Sequence, residues 1–236
     1  MTDIDVTTVA AWKGGVGKTT LAFELAYQLN AVLVDLDWDR GGASRAWGYR
    51  HETRRRAMLL DSLENGKPPT PLRGGDRKPD LVPSHPDLAV SQPDPETLAD
   101  RLSDWARHWG RPVVVDTHPG GGDATFGAMA VSRVVAVPTV FGTKELDALE
   151  GMLEEVPDYP LMLVPNLVRA PNTRDRARLR KLATDADVPV APPVPWCAWI
   201  PTRQIRIAIT SEPVAKRAEE YTAQIQEVAQ AIRQYS

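Results

Sequence analysis

Trp12-Lys13-Gly14-Gly15-Val16-Gly17-Lys18-Thr19-Thr20 is the stretch that decides the fold. A turn this rich in glycine lets successive backbone N–H groups curve around an anion. The lysine at its end, Lys18, reaches the β- and γ-phosphates of a nucleotide, and the Thr19 hydroxyl takes Mg²⁺. The usual phosphate loop opens on a glycine. Here Trp12 stands in that place, and a second lysine, Lys13, follows it.

The flanks agree with this reading. Val6 to Ala11 is a short β-prone run that leads into the turn. Beyond it, Leu21, Leu25 and Leu29 recur at helical spacing, with Ala22 and Ala26 beside them. Strand, glycine turn and helix form the order the chemistry needs, because a helix N-terminus presents positive partial charge to phosphate.

Working outward, further apolar runs follow at Ala31–Leu36, Pro112–Asp116, Val134–Pro138 and Leu161–Pro165. They are continuously apolar, as strands buried on both faces are. Helical patterns separate them. Asp94-Pro95 reads as a cap and first turn, followed by Leu98, Leu102, Trp105 and Trp109. Leu146, Leu149, Met152, Leu153 and Val156 make another stripe, and Tyr221, Ile225, Val228 and Ile232 a last one. The alternation predicts an α/β fold: one doubly wound, mostly parallel twisted sheet flanked by helices. Residues 66–95, rich in proline and glycine, read as loops over one sheet edge with a short strand at Asp80–Pro83.

Composition bounds the function. The 236 residues carry a net charge of −3, with 25% charged and 42% hydrophobic residues, values ordinary for one soluble domain. No apolar stretch is long enough to span a membrane. The single cysteine, Cys197, excludes an internal disulfide framework and argues for a reducing cytoplasm. With four histidines it also leaves little material for a zinc or iron–sulfur site. The acidic balance does not advertise nucleic-acid binding, so a DNA contact requires a local patch. Arg174, Arg178 and Lys181 share helical spacing, and Arg203 and Arg206 follow in a separate segment. For each of these a solvated surface is an equally good account. Arg54-Arg55-Arg56 reads as a surface run.

Two strand ends complete a nucleotide site. Val32–Asp37 ends in two carboxylates, Asp35 and Asp37, and Val113–Asp116 ends in one. Parallel strands bring all three to the edge that carries the glycine turn. One carboxylate there can hold Mg²⁺ through water and another can orient an attacking water.

These segments resemble the ParA/MinD family of deviant-Walker ATPases, and most of all its small ParA-type partition members. The residues that carry the resemblance are Lys13–Thr20, then Val34-Asp35-Leu36-Asp37, then Val115-Asp116-Thr117 with the glycines beyond. It implies that Gly14, Gly15, Val16 and Gly17 shape the loop and that Lys18 binds the β/γ-phosphates. Thr19 would take Mg²⁺ and Thr20 touch the α-phosphate. Lys13 would be the signature lysine that reaches the partner's nucleotide in an ATP-bound homodimer. Asp37 would orient the attacking water, Asp35 support the metal shell, Asp116 hold Mg²⁺ and Asn166 contact adenine. Three positions depart from the family. Trp38-Asp39 replace a common Pro-Gln, and His118 stands where a proline is more usual; it is read as a loop residue.

Within the family, the chain is expected to form a single P-loop domain over 1–236 with no N-terminal helix-turn-helix. It is expected to bind DNA without sequence preference as an ATP dimer and to be released when a ParB-like partner stimulates hydrolysis. That makes it cytoplasmic and nucleoid-associated. A MinD-like membrane positioner needs a basic amphipathic tail, and this tail is mixed in charge. An ATP-dependent biosynthetic enzyme on the same fold does not need Lys13 in this form.

Overall fold

The computed structural model describes residues 5–39, 42–50, 57–170 and 173–235; the arginine run at 54–56 lies outside them. Six strands form one sheet: β1 (Val6–Val9), β2 (Val32–Asp35), β3 (Asp80–Val82), β4 (Val113–Asp116), β5 (Val134–Thr139) and β6 (Leu161–Pro165). Their order is β3-β2-β4-β1-β5-β6, and every neighbouring pair is parallel. All six strands are buried along their whole length, as their unbroken Val/Leu runs require.

Helices cover both faces. Side chains alternate across each strand, so Val114, Leu33, Val134 and Ala136 face one layer while Val113, Val115, Val135 and Val137 face the other. The first layer is α1 (Lys18–Gln28) and α8 (Glu219–Gln234). Tyr221, Ile225, Val228 and Ile232 of α8 all lie in that core. The stripe read from the sequence is therefore a packing face. On the other side, α4 (Pro95–Trp109) and α5 (Asp123–Ala130) pack over β2, β4 and β1. There α6 (Thr143–Glu155) and α7 (Thr173–Asp185) cover β5 and β6. Asp94 caps α4 as expected, accepting from the Thr97 N–H at 2.9 Å. Two short helices, α2 (Ala43–Trp47) and α3 (Met58–Asn65), follow β2.

The 66–95 region adds β3 as the outermost strand, so it builds one edge of the sheet and also drapes it. Leu72 exchanges two backbone hydrogen bonds with Leu81 on the outer side of β3. At the opposite edge, the backbone on either side of Val190 bonds both groups of Leu163 in β6.

The chain leaves β1 toward β2 on one side and later crosses to β5 on the other. That reversal opens a crevice at the carboxyl ends of the strands, beside β1. One buried side chain ties the C-terminal segment to the helix that borders this crevice. Glu24 of α1 accepts from the N–H groups of Ile209 (2.7 Å) and Thr210 (3.0 Å) and from the Thr210 hydroxyl (2.8 Å). Burial pushes its pKa up and these donors pull it back. Glu24→Ala leaves both N–H groups buried without a partner, and a loss of about 3 kcal/mol is expected. Urea unfolding midpoints of the two proteins measure it.

Candidate functional site

The glycine turn sits where β1 feeds α1. Gly15 (φ +79°) and Gly17 (φ +87°) both take the left-handed conformation that side chains resist. Gly17 precedes α1 without any side-chain cap, and the first turn of the helix carries no acidic residue. Its free N–H groups and positive pole therefore face the loop with nothing to neutralise them. Val16 is buried, while Gly14 and Gly15 are exposed.

Asn166 stands directly behind the turn. Its side-chain N–H donates to the Val16 carbonyl at 2.8 Å, and a Cβ on Gly17 would lie 2.6 Å from its Nδ2. Asn166, expected as an adenine contact, is buried at the end of β6 and braces the glycine turn.

Three carboxylates and one lysine share the floor of the crevice. Asp35 and Asp116 are paired in register on β2 and β4, and both are fully buried. Lys18, only 6% exposed, is near Asp116 and Asp37, which oppose the lowering of its pKa by burial. The two buried carboxylates are bonded very differently. Asp35 accepts from the Asp37 N–H (3.0 Å), the Ser44 N–H (2.6 Å) and the Ser44 hydroxyl (2.6 Å). The Ser44 hydroxyl in turn accepts from the Ser84 N–H at 2.9 Å. Asp35, expected to support the metal shell, has both oxygens engaged by the loop after β2 and so holds that loop. Burial nevertheless drives its pKa up to about 7.

Neither oxygen of Asp116 has a hydrogen-bond partner among the described residues. The Thr19 hydroxyl lies alongside, short of a formed bond, and helps the carboxylate ionise. Burial, then the Asp35 charge, still raise its pKa well above the ordinary range. A buried carboxylate with empty oxygens beside a threonine hydroxyl fits a hard divalent cation with oxygen ligands. Thr19 and Asp116 are the residues that could hold such a cation.

Asp37 also joins a second cluster, in which the loop residue His118 takes part. Its Nδ1 is 2.9 Å from Asp37 Oδ1, and its ring stacks on Trp38 at 4.0 Å and 15°. The sequence positions that depart from the family pattern meet here, which no spacing along the chain reveals. Trp12 is anchored away from the site by a hydrogen bond to Glu155 and an edge contact with Phe126. Lys13 is left half-exposed beside it.

The two basic groups separate. On α7, Arg178 is ion-paired with Asp147 and Glu150, and Lys181 with Asp185, so the expected stripe with Arg174 is largely neutralised. Arg203 and Arg206 instead meet Arg45 around a groove of about 570 Å³ that also reaches Thr20. Arg45, from α2, was not legible as part of any patch.

A glycine loop bracketed by lysines at the head of a doubly wound parallel sheet, with a bare carboxylate opposite, defines a P-loop nucleotide-binding protein. The chain belongs to the CobQ/CobB/MinD/ParA nucleotide binding domain family, which it matches over residues 7–206. It is 29% identical to a probable plasmid-partitioning protein ParA of Thermus thermophilus, over 77% of this chain and 64% of that one. The chain spans less than two thirds of the length of the curated relatives it matches. Among solved structures, apo McdA of Cyanothece superposes with TM-score 0.78 at 15% identity, over 97% of this chain and 99% of that one. Cobyrinic acid a,c-diamide synthase of Mycobacterium smegmatis, with bound ATP analog and magnesium, gives 0.67 at 22%, over 98% and 94%. Both likenesses establish the fold. Among the described residues no helix is long and apolar enough to cross a membrane.

The buried carboxylates make stability depend on pH. In the unfolded chain an aspartate ionises near pH 4, whereas Asp35 in the fold holds its proton to about pH 7. Between these values the folded state binds more protons. Without ligand, its stability is therefore expected to fall as pH rises from about 4 toward 7, by about 1.4 kcal/mol per pH unit for Asp35 alone, and the raised pKa values of Asp116 and Glu24 add to the fall. Thermal melts across that range check the slope, and Mg²⁺ with nucleotide should flatten it.

Proposed function

We propose that this chain is a ParA-type ATPase: it binds Mg-ATP, pairs with a second copy in the ATP state, and works in DNA partitioning. The observation that carries the reading is the bare, buried carboxylate of Asp116 facing Lys18 and Thr19 at the uncapped start of α1. A site with this charge distribution is built to receive a polyphosphate together with a divalent cation.

The roles follow from position. Gly14, Gly15, Val16 and Gly17 lend backbone N–H groups to the phosphates. Lys18 pairs with the β- and γ-phosphates and Thr20 with the α-phosphate. Mg²⁺, held by Thr19 and Asp116, offsets phosphate charge. Asp37 aligns the attacking water, since transfer of this kind depends on positioning more than on a strong base. Lys13, half-exposed at the loop's opening, extends to the nucleotide of the facing copy. Two triphosphates brought together repel, and a lysine from each side offsets that charge. Hydrolysis removes the γ-phosphate and with it the reason for the lysines to cross.

The ATP dimer binds DNA through its backbone, without reading bases, by way of Arg203, Arg206 and Arg45. A ParB-like centromere-binding protein accelerates hydrolysis and releases it. The protein works in the cytoplasm, on the nucleoid when loaded with ATP. The similarity to a plasmid-partitioning relative supports this branch of the family over its biosynthetic members.

Lys18→Ala is expected to lose about 3 kcal/mol of nucleotide affinity, roughly 100-fold, by calorimetry. Asp37→Ala should keep ATP and stop turnover, sedimenting as a dimer with ATP and as a monomer with ADP. A monomer under saturating ATP overturns the reading. DNA binding should require ATP, and Arg203→Glu with Arg206→Glu should weaken it and lower the slope of log affinity against log salt by about 2. Unchanged affinity removes the groove as the DNA contact.

A further inference from the structure

The loops after β2 and β4 are clasped through His118, which bonds Asp37, lies 3.8 Å from Asp39 Oδ2 and stacks on Trp38. Each root is fixed separately. The Asp35 carboxylate holds the Asp37 N–H at 3.0 Å, and the Thr117 hydroxyl donates to the Val9 carbonyl at 3.0 Å. Above these roots, Asp37 Oδ1 receives His118 Nδ1 at 2.9 Å and the Asp39 N–H at 3.1 Å. Because Oδ1 is an acceptor, Nδ1 must carry the proton. Trp38 lies flat against the imidazole and leaves the ring little freedom to turn. The clasp is well shielded: the side chains of His118 and Asp37 are 24% and 10% exposed.

Two donors on Oδ1 leave Asp37 Oδ2 as the oxygen without a protein partner among the described residues. A carboxylate held at one oxygen can rotate no further, and its other oxygen is then aimed. We propose that His118 is the positioning residue for Asp37: it locks the carboxylate so that Oδ2 is the oxygen presented to the attacking water, with Trp38 as its backstop. Asp37, Asp39 and His118 also bring ligand-type atoms within 4.8 Å of one another. In this structure the Nδ1 contact and the Asp39 N–H both fall on Asp37 Oδ1, which makes the cluster a hydrogen-bonded clasp. This inference rests on the reading of Asp37 as the residue that orients water.

The test is steady-state hydrolysis of Mg-ATP by the full chain. His118→Ala is expected to lower kcat by roughly 10- to 100-fold, the cost of misplacing a reacting group, with KM for ATP unchanged. His118→Asn, whose amide N–H falls near the place of Nδ1, should recover most of kcat. His118→Gln, with its donor farther out, should not. Trp38→Ala should give a smaller loss and Trp38→Phe little. Parent-like kcat in His118→Ala, with Asp37→Ala inactive, overturns the role of His118 and leaves that of Asp37 standing. Equal losses in the Asn and Gln variants overturn it too, since bulk rather than the donor would then matter. Full turnover in Asp37→Ala removes the reading beneath it. Should His118→Ala fail to fold, the Asn and Gln pair decides alone.

Discussion

Two carboxylates lie side by side at the ends of adjacent strands, out of water, and the architecture around the crevice answers that repulsion. Asp35 and Asp116 share a register, so parallel pairing of β2 and β4 forces them together. Charges buried in this way are costly unless each finds partners. Asp35 finds three donors in its own loop and thereby shapes it. Asp116 finds none, and the nearest cation is a lysine whose own charge is suppressed by burial. The site is electrostatically unfinished, and in the proposed reading a bound metal with its nucleotide would complete it. Stability and ligand affinity would then be linked: what is unfavourable in the free protein would become favourable with a cation bound.

Most of the fold could be read from the chain because its signals are local. Unbroken runs such as Val113-Val114-Val115 mark strands covered on both faces, and the turn from Val9 to Lys18 admits few arrangements. The Asp94 cap and the α8 stripe likewise depend on spacing within a few residues. Even the weak region 66–95 disclosed its strand, though not that this strand forms the sheet edge.

The site was legible in its parts and less so in its connections. The phosphate loop and the three aspartates announce themselves by position. What each carboxylate touches is decided by residues far away in sequence. Ser44 gives Asp35 a structural duty, and Asn166 reaches across 150 positions to the Val16 carbonyl. His118 faces Asp37 only because the sheet places β4 next to β2. Helical spacing suggested a basic stripe on α7, but acidic side chains on α6 and in the same helix quench it. Long-range pairing of this sort leaves no periodic trace.

Consider finally how the outermost strands are finished. Leu72 occupies the free flank of β3, and residues around Val190 occupy that of β6. Naked strand flanks invite further strands from other molecules. With both flanks dressed, ribbon-like stacking into ever-longer sheets is discouraged.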